Sequence, residues 1–177
     1  MRYPNYKYNP RANQILEILE QNPASRFTDL MHDSGLKNGV VSHYLKMMEK
    51  VGLIRARRIK NQDWYFASTF DESNDFLFIH LRKETSKRVL VFLLDKEHAT
   101  FSEILTHVKK SPSTLSITLS NLIKANLIKA NLITAEHGVT KKYSPRNKES
   151  IIKALDQIKP KTFDTIKDRF ADTFSYF

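Results

Sequence analysis

The sequence predicts a mainly α-helical protein in which one small unit, three helices closed by a β-hairpin, occurs twice in tandem and is followed by C-terminal helices. Three observations predict it. Residues 11–54 lie on residues 85–128 at a constant offset without a gap, pairing Leu16 with Leu90, Leu19 with Leu93, Phe27 with Phe101, Ser42 with Ser116, Leu45 with Leu119, Lys50 with Lys124 and Leu53 with Leu127. An internal repeat outranks any single motif as a guide to architecture, and two copies are too few for a solenoid. Within each copy the apolar period changes from helical to strand-like after the third segment. Both copies are basic: residues 1–68 carry 11 basic and 6 acidic side chains and residues 85–146 carry 10 and 4, whereas residues 69–84 hold 2 and 4.

The elements follow in order. Ile15, Leu16, Ile18 and Leu19 recur at helical spacing until Asn22-Pro23 stops the run. A short helix from Arg26 to Asp33 turns Phe27, Leu30 and Met31 inward, and Gly35 supplies the turn after it. Asn38 is expected to cap a third helix, Gly39 to Val51, with Val41, Leu45 and Met48 as its apolar stripe and Gly52 at its end. Leu53 to Ile59 then reads as a strand, Lys60 to Asp63 as a tight turn and Trp64 to Ala67 as the returning strand. In the second copy Thr85 is expected to cap a helix containing Val89, Leu90, Phe92, Leu93 and Leu94. Thr100 begins the short helix, and Ser111-Pro112 starts the third, because proline at the first helical position loses no bonded amide. Leu115, Leu119 and Leu122 continue the stripe, and Glu136-His137-Gly138 turns the closing hairpin. Residues 121–125 (NLIKA) are repeated at once by 126–130, so the third helix ends near Asn126 or near Asn131; the longer helix, with a hairpin from Leu132, is preferred.

Helix, helix, turn, helix, hairpin is the winged helix-turn-helix order. The carrying motifs are Phe27-Thr28-Asp29-Leu30, Val41-Ser42-His43-Tyr44-Leu45 and Val51-Gly52-Leu53-Ile54 ahead of a basic strand. Their counterparts are Phe101-Ser102-Glu103-Ile104, Leu115-Ser116 to Leu119 and Asn126-Leu127-Ile128. In these motifs each copy resembles the winged helix of archaeal and bacterial transcriptional regulators related to the ArsR and MarR families, over about two thirds of the chain. The resemblance implies a third helix in the major groove of double-stranded DNA and a wing near the phosphates. The organisation expected is a basic, aromatic arm (1–10; Arg2, Tyr3, Lys7, Tyr8), a first winged helix domain (11–68), a helical connector (69–84), a second domain (85–146) and C-terminal helices (147–177).

A turn of about 100° per residue lets the exposed face of each third helix be read directly. With Val41, Leu45 and Met48 inward, Gly39, Ser42, His43, Lys46, Met47 and Lys50 face outward, and Asn38 joins them at the start of the helix. Lysine, histidine and serine there suit base edges and phosphates. The second helix differs in kind. Its outward set of Ser113, Ser116, Ile117, Ser120, Asn121 and Lys124 suits base reading, asparagine pairing with adenine and isoleucine meeting a thymine methyl, or else a protein contact. Charge comes from Arg55, Arg57, Arg58 and Lys60 on the first wing, from Lys141, Lys142 and Arg146 on the second, and from Lys109 and Lys110.

Ile151, Ile152, Leu155 and Ile158 form a helix stopping at Pro160, and Phe163, Ile166, Phe170 and Phe174 line one face of another. Terminal helices commonly build dimers in the related regulators, so a homodimer through these helices is expected. Zero cysteines exclude disulfides, thiolate metal sites and thiol catalysis; they also depart from the metal-binding cysteines of ArsR-like sensors, which leaves any effector unidentified. The six histidines are scattered, and no phosphate loop, paired-glycine fingerprint or His-Glu-x-x-His helix is present, so neither enzyme activity, a metal nor a cofactor is expected. No apolar run approaches the roughly 20 residues that span a bilayer, and the polar start lacks the apolar core of a secretory signal, so a cytoplasmic location is expected. The function expected is that of a sequence-specific DNA-binding transcriptional regulator, repressing by promoter occlusion. The alternatives are a tandem winged-helix protein-interaction module, an architectural protein or a replication initiator.

Overall fold

The computed structural model describes residues 9–135 and 138–158 of the chain. Helix α1 (Pro10–Gln21) begins where the Asn9 side chain accepts the amides of Arg11 at 3.0 Å and Ala12 at 3.4 Å, with Pro10 at the first helical position. Helices α2 (Phe27–Ser34) and α3 (Asn38–Lys50) are joined through Gly35, whose φ of +66° is the left-handed turn that glycine adopts without a Cβ penalty. Asn38 is the first residue of α3 rather than its cap. Lys37 holds the capping position and makes no side-chain bond there.

The first hairpin pairs β1 (Ile54–Ile59) with β2 (Gln62–Ala67), Ile59 standing opposite Gln62. Its loop is therefore Lys60-Asn61 alone, shorter than the four-residue turn expected from the polar run, and Lys60 takes φ +53° to close it.

The second copy retraces this path with α5 (Glu84–Lys96), β3 (Ala99–Thr100), α6 (Phe101–Val108), α7 (Pro112–Lys124), β4 (Ile128–Ala135) and β5 (Gly138–Pro145). Thr100 and Glu103 close a capping box: the threonine hydroxyl accepts the Glu103 amide at 3.3 Å, and the glutamate carboxylate accepts the Thr100 amide at 2.7 Å. Thr85 is not a cap, because α5 already starts at Glu84. Ser111 does cap α7, accepting the Thr114 amide at 3.2 Å.

Helix α7 ends at Lys124, not near Asn131, so the shorter reading of the NLIKA repeat is the correct one. Asn126 takes φ +60° and the Leu127 amide bonds back to the Leu122 carbonyl at 3.0 Å. The same closure ends α3, where Gly52 is at φ +75° and the Leu53 amide reaches the Met48 carbonyl at 2.9 Å. The second NLIKA is strand because Ile128 is buried and all of β4 pairs with β5, in the order β3-β5-β4. Even the β3–β5 pairing has its counterpart, a single bridge between Ser25 and Tyr65.

Between the copies, a short 3-10 turn (Glu72–Asn74) leads into α4 (Asp75–Leu81), where Leu77, Phe78, Ile79, His80 and Leu81 are all buried. Helix α8 (Lys148–Gln157), capped by Asn147 on the Ser150 amide at 3.0 Å, buries Ile151, Ala154 and Leu155 and packs on α4. One core belongs to the first unit and gathers Ile15, Leu19, Leu30, Val41, Leu45, Met48, Ile54 and Tyr65. The larger core joins α4, α5, α7 and α8 to Trp64 and Phe66 of the first hairpin, so apolar packing is continuous from one copy into the other. Of the arm expected over residues 1–10, Asn9 and Pro10 belong to the start of α1; residues 1–8, Glu136 and His137 of the expected turn, and the segment with Phe163, Ile166, Phe170 and Phe174 lie outside the described residues.

Candidate nucleic-acid interface

Each third helix sits on its unit by the stripe read from the sequence. Val41, Leu45 and Met48 are buried on α3, as are Leu115, Leu119 and Leu122 on α7. Those stripes fix the opposite faces. Asn38, Gly39, His43, Lys46 and Lys50 are exposed on α3, with Ser42 and Met47 half-buried. The His43 ring stands edge-on to Tyr44, centroids 5.2 Å apart. On α7, Ser113, Ser116, Ile117, Ser120, Asn121 and Lys124 are all exposed, and Lys109 and Lys110 stand exposed just before the helix.

The acidic residue on α3 is already matched. Glu49 accepts both terminal nitrogens of Arg58, at 3.1 and 3.1–3.2 Å, so its charge is met from the wing. Arg58 is thereby tied to the third helix.

Arg55 and Arg57 are placed differently from the sequence-based expectation of a free basic wing. Both point to the side of the hairpin away from the first core, where Asp75 of α4, 1% exposed, accepts Arg55 Nη2 at 2.6 Å and Arg57 Nε at 2.8 Å. Arg55 also donates to the Ala67 carbonyl at 3.1 Å and lies over the Phe66 ring at 5.0 Å, and Arg57 lies over Phe76 at 5.0 Å. Arg55, Arg57 and Arg58 thus each meet a carboxylate of their own chain, and Lys60 at the tip is the first wing's remaining cation. The acidic connector was the available signal, but nothing in the spacing pairs Asp75 with residues 20 and 18 positions earlier.

A second clasp ties α4 to the first unit. Arg82 donates to the Ser25 hydroxyl at 3.3 Å and to Asp29 at 3.4 Å, and Lys83 lies over Trp64 at 5.8 Å. Burial pushes the Asp29 carboxyl up, but hydrogen bonds from Arg26 and the charges of Arg26 and Arg82 outweigh it and hold it below its ordinary value. Lys83 is pushed down, first by burial and then by Lys60.

The second wing is open where the first is closed. Lys141 is exposed beside Tyr143, Lys142 is half-buried, and Lys129 and Asn131 add an exposed cation and amide that the sequence reading did not select. Leu132 is 73% exposed and Val139 64%, and with Ile117 at 64% they give the second unit an apolar element beside its polar one. Among the described residues, no group of three or more histidine or acidic side chains is placed to hold a metal ion, and no helix is long and apolar enough to cross a membrane.

The sequence matches the arsR family of bacterial regulatory proteins twice, over residues 9–56 and 84–130, together more than half of the chain. Each match runs from the start of the first helix of a copy into the first strand of its hairpin. No curated protein matches. Similar solved structures include a predicted DNA-binding transcriptional regulator from E. coli, 23% identical over 44% of this chain and 79% of its own, with a TM-score of 0.35. A homodimeric winged helix-turn-helix DNA-binding domain from Mycobacterium bovis, described as a possible ArsR-family transcriptional regulator, is 24% identical over 45% of this chain and 71% of its own, with a TM-score of 0.35. A possible transcriptional regulator from Methanosarcina mazei is 12% identical over 70% of this chain and 97% of its own, with a TM-score of 0.36. These scores are low, so the assignment rests on the doubled sequence match, which covers the three helices of each copy and enters its first strand: the chain belongs to the arsR family of bacterial regulatory proteins.

Proposed function

We propose that this protein is a sequence-specific regulator of transcription that binds double-stranded DNA through both third helices and represses by occluding promoters. The observation that carries the reading is the pair of outward faces on α3 and α7, the first exposed at Asn38, Gly39, His43, Lys46 and Lys50 and the second throughout, with the acidic member, Glu49, already paired to Arg58. In this reading Asn38, Ser42 and His43 on α3 and Ser113, Ser116, Ile117, Ser120 and Asn121 on α7 meet base edges. Lys46, Lys50, Lys60, Lys109, Lys110, Lys124, Lys141 and Lys142 meet phosphates. Arg55 and Arg57 are left out because the buried Asp75 holds both, whereas Arg58, 59% exposed and in a solvent-accessible pair with Glu49, joins the phosphate set. Fluorescence anisotropy against random and selected duplexes, across a salt series, tests it. Binding to a selected site about a thousandfold or more tighter than to random DNA is expected. Weak, equal binding to every duplex overturns it.

Lys46 and Lys50 make the sharpest check. Each phosphate contact contributes about 0.9 to the slope of log K against log salt, so the Lys46→Ala, Lys50→Ala double variant flattens the slope by about 2 and weakens binding roughly thirtyfold near physiological salt. An unchanged slope removes α3 from the phosphate backbone.

We also propose a homodimer assembled through the C-terminal segment, 147–177, in which Phe163, Ile166, Phe170 and Phe174 recur in the sequence at the spacing of one helical face. The M. bovis domain is itself homodimeric. Sedimentation of the full chain should give a dimer, and truncation after Pro160 a monomer; the same number of chains in both species sinks the assignment.

A second reading, in which the second unit binds protein rather than DNA, is favoured by the exposure of Ile117, Leu132 and Val139. Substitution of Ser116 and Asn121 that leaves DNA affinity untouched would select it.

A further inference from the structure

The two hairpins occupy the same place in the repeat and have become different objects. On the second, the side turned away from the helices of its own unit carries Lys129, Asn131 and Lys142, exposed or half-buried. On the first, the same positions carry Arg55, Arg57 and Trp64, and none of these is free. Trp64 and Phe66 are buried in the larger core with α4, and the two arginines close on Asp75. The opposite side of this hairpin is occupied as well, by Ile54, Tyr65 and Ala67 in the first core and by Arg58 on Glu49. The exposed cations left on this hairpin are Arg58, held by Glu49, and Lys60 at its tip.

We propose that the first hairpin is the joint that fixes α3 relative to α7, that Asp75 is the positioning residue holding it, and that the protein consequently accepts its two half-sites at a single spacing. The last clause rests on the DNA reading above; the joint itself does not. Two modules on a loose linker engage sites over a range of separations, whereas a rigid joint engages both at one geometry and loses the second contact at others. Asp75 is suited to this role because it is almost fully buried between two guanidinium groups. Removing its charge leaves the half-buried Arg55 and Arg57 side by side with only the exposed Glu72, 4.0 Å from Arg55, as a remaining carboxylate, which favours opening over local repair. The Arg82 clasp on Ser25 and Asp29 holds the other end of α4 to the same unit.

The absence of cysteine allows the joint to be measured in the full chain by pulsed electron resonance between spin labels at Glu20→Cys and Ser102→Cys, both exposed, diluted with unlabelled protein. One narrow distance distribution is expected. Asp75→Asn should widen it about twofold or more with helix content retained, and Arg82→Gln, which leaves Asp29 paired to Arg26, should widen it in the same sense. Should Asp75→Asn fail to fold, Arg82→Gln decides. An unchanged width in the folded variants overturns the joint. On the selected duplex, a change of about five base pairs, half a helical turn, in the spacer between its two half-sites should weaken wild-type binding about a hundredfold and Asp75→Asn binding about tenfold or less. Wild-type tolerance of every spacer overturns the single-spacing claim. Failure to bind any duplex overturns the DNA reading instead, and the distance width still decides the joint.

Discussion

Phe66→Ala is expected to destabilise the protein by about 3–5 kcal/mol, the range for removing a buried aromatic ring whose cavity cannot fully collapse. Phe66 is 0% exposed. Its ring does more than fill space, since the Arg55 guanidinium lies over it at 5.0 Å while donating to Asp75. Loss of the ring therefore removes apolar burial and the floor of the ion cluster together. For a chain of this length each kcal/mol moves the melting temperature by about 2–4 °C, so a fall of about 6–20 °C is expected in calorimetry. Because the larger core runs from the first hairpin through α4 into the second unit, wild type should melt in one transition and the variant should lower that transition as a whole. Two wild-type transitions, with only the earlier one moved by Phe66→Ala, would show that the units fold independently.

Acid should weaken the same region through His80. This side chain is 6% exposed, and burial, with a smaller push from the Lys83 charge, brings its pKa from 6.5 down to about 4. Its ring nitrogen Nδ1 lies 3.2 Å from the Ser86 hydroxyl. A depressed histidine is neutral in the folded state while the unfolded chain takes up a proton. Its stability contribution is therefore intact above pH 6.5 and is lost as the pH falls from 6.5 toward 4, reaching about 3 kcal/mol at the lower end. Carboxylates such as Glu103, lowered by its bond from the Thr100 amide and then by the threonine hydroxyl, move stability in the same direction at lower pH. The histidine term is thus isolated by comparison with His80→Asn, which retains a group able to reach Ser86 and has no proton to gain. Denaturant unfolding between pH 7 and pH 4 should show wild type losing about 3 kcal/mol more than the variant. Parallel pH profiles would mean that His80 protonates without strain.

Much of the winged-helix architecture was legible because it is written in local signals. Leu45 and Leu119, or Met48 and Leu122, recur within one helical turn of their neighbours, and the caps at Thr100 and Ser111 act within three residues. The misread caps, Asn38 and Thr85, failed because several residues near each helix start are chemically able to cap, and the choice lies in where the chain enters the helix. The NLIKA repeat was ambiguous for a related reason. Both asparagines tolerate the left-handed position, and what selects Asn126 is the demand that Ile128 be buried and that β4 pair along its full length with β5.

The doubled unit, the buried stripes of α3 and α7 and, by elimination, their outward faces are already set by the order of residues, because helical periodicity leaves few ways to place an apolar stripe. The surroundings of the first hairpin follow from packing instead. Arg55 and Arg57 read as free surface charge until α4 brings Asp75 against them, and Trp64 and Phe66 read as one unit's strand until they enter the core of the other. The reason is physical. A charge's partner and a ring's neighbours are set by which elements pack together, and that packing joins residues distant in sequence which no short-range pattern links.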